Sequence, residues 1–181
     1  MFSLDKPEEL IKIRLISSIW NNQFDSPEKI ESLFQLSSPD IVVLDQNQQI
    51  ALLVDVKAQE ILESHENNLS KVSNLYLKNS QENPRFVMLA NLTEINVFQS
   101  KNGVFSKPAI SLNTGKILSY YDSEFCEKKI FNFYLKTLIV SWLRDLTYHW
   151  KSEIPPASEK FEKIGLLAKL KHGETYSQND E

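Results

Sequence analysis

The spacing of apolar positions along the chain lays out helices and strands in turn. Leu10, Ile13, Ile16 and Trp20 recur at helical intervals behind Pro7, Glu8 and Glu9, whose acids suit a first turn, and predict a helix over residues 7–21. Ser26 before Pro27 has the form of an N-cap with proline at the first helical position, which predicts a short helix to Leu36. The shared parity of Ile30, Ser32, Phe34 and Leu36 also fits an edge strand, and periodicity over so short a run does not separate the two. Ile41 to Leu44 and Ile50 to Val54, two β-branched and aliphatic runs around the polar Asp45 to Gln49, form a hairpin pattern. Leu62, Leu69, Val72 and Tyr76 return to helical spacing over residues 60–79. Arg85 to Ala90 and Ile95 to Gln99 read as short strands, and Gly103, Pro108 and Gly115 mark a loop or edge hairpin. A long helix is expected from Phe125 to Trp150. After Ile154, Pro155 and Pro156 a final amphipathic helix is expected near Ser158 to Leu170, and residues 174–181 read as a polar tail.

Composition then narrows the class. With 41% hydrophobic and 24% charged residues in 181, the chain has the make-up of a folded globular protein and not of a disordered or fibrous one. The net charge of −4 excludes a strongly basic nucleic-acid coat, so any polyanion has to be met locally. Charge is also uneven: residues 1–66 hold five basic and twelve acidic residues, residues 67–123 six and three, and residues 124–172 nine and six. The hairpin belongs to the acidic end. A single cysteine, Cys126, excludes an internal disulfide framework and a multi-cysteine zinc site; it suits a cytoplasmic location and reads as core filler. No secretory signal is visible at the N-terminus, and the apolar stretch near Leu135 to Leu146 is broken by Lys136, Arg144 and Asp145, so no membrane partner is expected.

The chemistry concentrates in the hairpin. A four-residue loop at Gln46 to Gln49 would pair Asp45 with Ile50, and paired residue numbers would then sum to 95 along both strands. That register sets Asp40 opposite Asp55, with Cβ atoms about 5 Å apart, and strand alternation puts Lys57 on the same face. Opposed carboxylates on a sheet are destabilising unless they share a proton or a cation. Hard oxygen ligands suit Mg²⁺, which takes one or two carboxylates and leaves positions for water and phosphate. A lysine beside such an ion can orient or deprotonate the attacking water and offset charge growing on a phosphate. The remaining hairpin residues are nearly all apolar on both faces, so an acid and a lysine ending such a strand point to function over packing.

Pro39-Asp40, fourteen intervening residues and Asp55-Val56-Lys57 resemble the signature of the PD-(D/E)xK nuclease superfamily. The order of elements over residues 7–99 resembles its core of a helix, a three-strand meander, a crossover helix and a further strand. The resemblance implies an α/β fold with a restriction endonuclease-like core over residues 1–123, its mixed β-sheet flanked by helices. Residues 124–173 fall outside it, as a C-terminal helical extension that packs on the core or forms a dimer interface. It further implies Asp40 and Asp55 as ligands of Mg²⁺ or Mn²⁺, the Val56 carbonyl as another, and Lys57 as the residue that positions the water. Glu9, with Glu8 behind it, matches a glutamate that some branches add from the first helix. The chain departs from the commoner pattern in carrying aspartate where glutamate is more frequent at the second acidic position, and in leaving the meander's first strand unassigned.

The expected function is therefore metal-dependent hydrolysis of DNA phosphodiesters, with Lys71, Lys78 and Arg85, and beyond them Lys101 and Lys107, as candidate phosphate contacts in the positive middle of the chain. The alternatives are a non-catalytic binding or assembly module of the same fold, using its C-terminal helices for protein contacts, and an RNA-directed nuclease. Phe131, Phe133, Tyr134, Trp142 and Trp150 make an aromatic stripe wider than one buried face requires, which suggests a homodimer contact within residues 125–150. His65, His149 and His172 are too scattered for a zinc site, and the four glycines form no phosphate-cradling loop, so no nucleotide cofactor is expected.

Overall fold

The computed structural model describes residues 39–58, 65–78 and 84–177. The chain divides into two units between Ser37 and Ser38, and every described residue belongs to the second. The helices expected at residues 7–21 and 26–36, with Glu8 and Glu9, lie outside the described residues.

The two apolar runs form the hairpin. Strand β1 (Ile41–Leu44) pairs antiparallel with β2 (Ile50–Val56), and both are buried on their two faces except at Asp55. Helix α1 (His65–Lys78) carries the chain to β3 (Phe86–Ala90), which lies parallel to β2. Asn91 makes the next turn possible: its Oδ1 accepts from the amides of Thr93 and Glu94 at 2.8 and 2.7 Å, and β4 (Glu94–Gln99) returns antiparallel to β3. Strand β5 (Ile110–Asn113) follows β4 at the sheet edge and runs into the short helix α2 (Thr114–Leu118). Helices α3 (Asn132–Tyr148), α4 (Ser158–Lys163) and α5 (Leu166–Leu170) precede β6 (Glu174–Ser177). The result is an α/β unit with a six-stranded mixed sheet, ordered β5-β4-β3-β2-β1-β6, and five helices among the described residues.

One face of the sheet carries Ile41, Val43, Leu52, Val54, Phe86 and Met88 into a single core with Leu135, Ile139, Trp142 and Leu143 of α3 and with Phe161, Leu166 and Leu170. The residues of opposite parity, Val42, Leu53, Val87 and Phe98, are buried as well, and Val72 and Leu75 of α1 are buried where that helix packs on β3. Covering on both sides explains why the central strands read as continuous apolar runs and not as alternating ones.

Several boundaries differ from the sequence expectation. The expected register, with partners summing to 95, holds for Ile41↔Val54, Val42↔Leu53 and Val43↔Leu52, but a bulge follows and Leu44, not Asp45, faces Ile50. Past the bulge Asp45 closes the turn: its N–H donates to the Gln49 carbonyl at 2.8 Å, its Oδ1 accepts from the amides of Asn47 and Gln49 at 2.8 and 3.1 Å, and Lys169 Nζ lies 3.5 Å from Oδ2. The polar tail expected after Gly173 is, through Ser177, strand β6 on the outer edge of β1. Gly173 permits the approach, since a Cβ there would lie 2.1 Å from the Leu44 carbonyl oxygen. The expected helix over 158–170 is two helices, parted at Gly165 with its φ of 77°. Helix α3 starts at Asn132 instead of Phe125 and closes on His149 in the left-handed region. Cys126, expected in the core, is exposed. Among the described residues no helix is long and apolar enough to cross a membrane.

Candidate functional site

Asp40, Asp55 and Lys57 all lie where β1 starts and β2 ends. Pro39 has no amide hydrogen to give a ladder, so pairing begins at Asp40, whose N–H donates to the Val54 carbonyl at 2.9 Å. The Asp40 side chain then reaches one strand across: its Oδ2 accepts from the Val56 amide at 2.7 Å. Asp40 thus holds the residues on either side of Asp55, by backbone at Val54 and by carboxylate at Val56. Asp55 itself sits opposite Leu89 of β3 and, like Asp40, is partly buried. The Lys57 amide donates to the Ala90 carbonyl at 2.9 Å, extending the β2–β3 pairing one residue past the strand. The side chain of Lys57 accordingly leaves the backbone on the side taken by Asp55.

A second element closes on this strand end. Ala58 N–H donates to Oδ1 of Asn132, the first residue of α3, so the long helix begins at the end of β2, on the side of the sheet that takes Val56 and Ala58 and not Asp55. Lys136 lies one turn further along the same helix face and is only 5% exposed. Neither residue was nominated for the site from sequence, where Lys136 entered only as a break in an apolar stretch. The available signal was a lysine four residues after an asparagine inside an otherwise apolar helix stretch, a place where a charge is costly without local purpose.

The other nominated residues are placed as follows. Helix α1 runs back from the end of β2 toward the start of β3, so Lys71 lies midway along it and Lys78 at its far end. Arg85 precedes by four residues the Leu89 that faces Asp55, a strand distance of about 13 Å. The structure therefore joins Asp40 to Val56, places Asp55 and Lys57 at the same strand end, and leaves Arg85 at the opposite end of the sheet. Glu9 lies outside the described residues. Among the described residues no group of three or more His, Cys, Asp and Glu side chains is placed to hold a metal ion. What they offer is a carboxylate pair, a donor set that fits an ion retaining several of its waters, as Mg²⁺ does.

Two further carboxylates belong to structural networks. Asp145 is fully buried, and its charge is met by Tyr121 Oη at 2.7 Å and by the amides of Lys151 and Ser152 at 2.8 and 3.2 Å. Burial first, then the hydrogen bond to the Asp145 carboxylate, pushes the Tyr121 phenol far above its ordinary range. Asp122 takes Lys128 at 2.7 Å and Tyr134 Oη at 2.9 Å, and the Lys128 hydrogen bond foremost holds its carboxyl below the usual value. These contacts pin the turns on either side of α3. The aromatic stripe divides accordingly: Trp142 is fully buried and donates to the Pro156 carbonyl, while Phe131, Phe133 and Trp150 are more than half exposed.

Comparison of the chain with family models, with curated proteins and with solved structures finds no match.

Proposed function

We propose that this chain is a divalent-metal-dependent nuclease that hydrolyses DNA phosphodiester bonds, built on a restriction endonuclease-like core. What supports the reading is the position of Asp40, Asp55 and Lys57 at one end of two adjacent, otherwise apolar strands. The sheet order supports it further. Strands β6, β1 and β2 form an antiparallel array, a crossover helix follows, and β3 returns parallel to β2. That is the pattern of a meander, helix and further strand, with the place of the meander's outer strand taken by the C-terminal β6.

In this reading Asp40 and Asp55 hold Mg²⁺ or Mn²⁺, which when bound supplies Lewis-acid polarisation of the phosphate. The Lys57 amine orients the water, takes its proton at Nζ when neutral, and when charged offsets the negative charge that grows on the phosphate oxygens. Lys71 and Lys78 serve as phosphate contacts along α1, and the chain works in the cytoplasm. The test is nicking of supercoiled plasmid in Mg²⁺ or Mn²⁺ by the wild type, Asp55→Asn and Lys57→Ala, with circular dichroism on each. Nicking by wild type that both variants lose while keeping the wild-type spectrum is the expected result. A wild type that cuts nothing and takes up no metal by calorimetry overturns the proposal.

A second reading draws on the bond between Asp40 and the Val56 amide, which gives that carboxylate a structural task of its own. In it the same fold is a non-catalytic assembly module, and the exposed Phe131, Phe133 and Trp150 are contact residues for a second copy or another protein.

A further inference from the structure

The end of the sheet remote from Asp55 carries a site of different character. Where β3 begins and β4 ends, the surface holds a hollow of about 510 Å³, within the usual range of small-molecule sites, about 300–1,000 Å³. Tyr76, Arg85, Gln99, Ser100, Lys101 and Asn102 line it, and no described Asp or Glu does. Among the described residues two cations face one concavity that no carboxylate lines, so their field favours an anion.

Its floor is fixed. Lys101 and Val104 exchange backbone hydrogen bonds of 3.0 and 3.1 Å across a two-residue turn, with Asn102 and Gly103 at φ values of 54° and 76°. Gly103 N–H donates to Ser100 Oγ at 3.1 Å, which leaves the Ser100 O–H as a donor. The Arg85 guanidinium lies 5.7 Å over the Phe86 ring. With its oxygen toward Arg85, the Gln99 carboxamide accepts from Nη2 and Nε at 3.1 and 3.3 Å. Two of the five guanidinium N–H groups are thereby occupied and the fork is held in place, with three left to bind. Tyr76 forms one wall, its ring braced edge-on against Phe105 at 5.2 Å.

We propose that this hollow binds a nucleotide phosphate, with Arg85 and Lys101 on the phosphate oxygens and the Tyr76 ring beside the base. A lone inorganic anion would leave most of the volume unfilled, whereas a nucleotide supplies both the dianion and a planar group for the aromatic wall. The source is a free mononucleotide or the phosphorylated end of a strand. The site is separate from the acid pair and stands whether or not the chain cleaves DNA.

Calorimetric titration of the full chain with deoxyadenosine monophosphate, deoxyadenosine and inorganic phosphate tests it, alongside anisotropy with a short oligonucleotide bearing or lacking a 5′-phosphate. Saturable binding of the mononucleotide, stronger than that of phosphate and absent for the nucleoside, is expected. It should weaken roughly tenfold or more in the Arg85→Ala, Lys101→Ala double variant. Arg85→Lys, which keeps the charge and loses the fork, should fall between, and Lys163→Ala, at an exposed lysine on α4 outside the hollow, should bind as wild type does. A phosphorylated oligonucleotide that outbinds the mononucleotide identifies a strand end as the source. No saturable binding of either, equal binding of the nucleoside, or unchanged affinity in a folded double variant overturns the proposal.

Discussion

Replacing Asp40 separates the structural task of its carboxylate from its proposed chemical one. The bond from Val56 N–H is short, 2.7 Å, and ends on a carboxylate; Val56 itself is 2% exposed, so water is a poor substitute. Hydrogen bonds to charged groups contribute about 1.5–3 kcal/mol, against about 0.5–1.5 kcal/mol for neutral ones. Asp40→Ala loses the bond but also relieves repulsion from Asp55, which for facing like charges is worth up to about 1 kcal/mol, so the net loss is about 1–2 kcal/mol. In a chain of this length about 1 kcal/mol corresponds to roughly 2–4 °C, which predicts a melting temperature lower by about 2–8 °C. Asp40→Asn keeps an acceptor in place and relieves the same repulsion, so its melting temperature in chelator should stay near that of wild type. Mg²⁺ then splits them: at ten times its dissociation constant it should stabilise wild type by about 1.4 kcal/mol and Asp40→Asn by much less. Differential scanning fluorimetry in EDTA and in graded Mg²⁺ reads both effects. Asp40→Ala melting with wild type would refute the hydrogen-bond argument, and equal Mg²⁺ shifts in Asp40→Asn and wild type would refute the metal role.

Gly173→Ala should destabilise by about 2–4 kcal/mol, because the new methyl meets the Leu44 carbonyl and β6 must move off β1; thermal melts and faster proteolysis at the C-terminus check it. Trp142→Ala removes a fully buried indole that packs 5.4 Å from Phe161 and bonds Pro156, and should cost about 3–5 kcal/mol in urea denaturation. Tyr121→Phe withdraws a donor from the buried Asp145 and should cost about 1.5–3 kcal/mol near neutral pH. Because Tyr121 keeps its proton in the folded chain while the unfolded phenol ionises near pH 10, its contribution is full below that pH and is lost as pH rises further. Stability curves of wild type and Tyr121→Phe should therefore converge above about pH 10, and parallel curves would count against the assignment.

What could be read in advance was whatever local pattern decides. The pairing of Ile41 to Val43 with Leu52 to Val54 follows from two β-branched runs around one polar stretch, and it is observed. The loop count missed by one because a bulge after Val43 leaves Ala51 outside the register, so that Leu44 faces Ile50 and Asp45 closes the turn, a feature that hydropathy does not record. The start of α3 was placed seven residues early for a related reason. Phe125 and Ile130 are apolar and buried, as a helix face would require, yet the turns around them are held by Asp122, Lys128 and Tyr134. Strand β6 had no local signal at all: Glu174-Thr175-Tyr176-Ser177 is short and polar, and becomes a strand because β1 offers an unpaired edge.

That last dependence bears on the candidate site. Strand β1 is only four residues long and is held from both sides, by β2 within the hairpin and by β6 from the far end of the chain. Asp40 sits at its start, so the direction from which its carboxylate reaches Val56 rests on the C-terminal strand as well as on the hairpin. The opposite side of the strand end is fixed by Asn132, again from the C-terminal half, through its bond to the Ala58 amide. A motif of three charged residues within eighteen positions thus reads as local in sequence and is not local in its support. Residues 124–177 share the core of the sheet, supply its outer strand and brace the acid-bearing end, which makes them part of the unit that shapes the site and not an appendage to it.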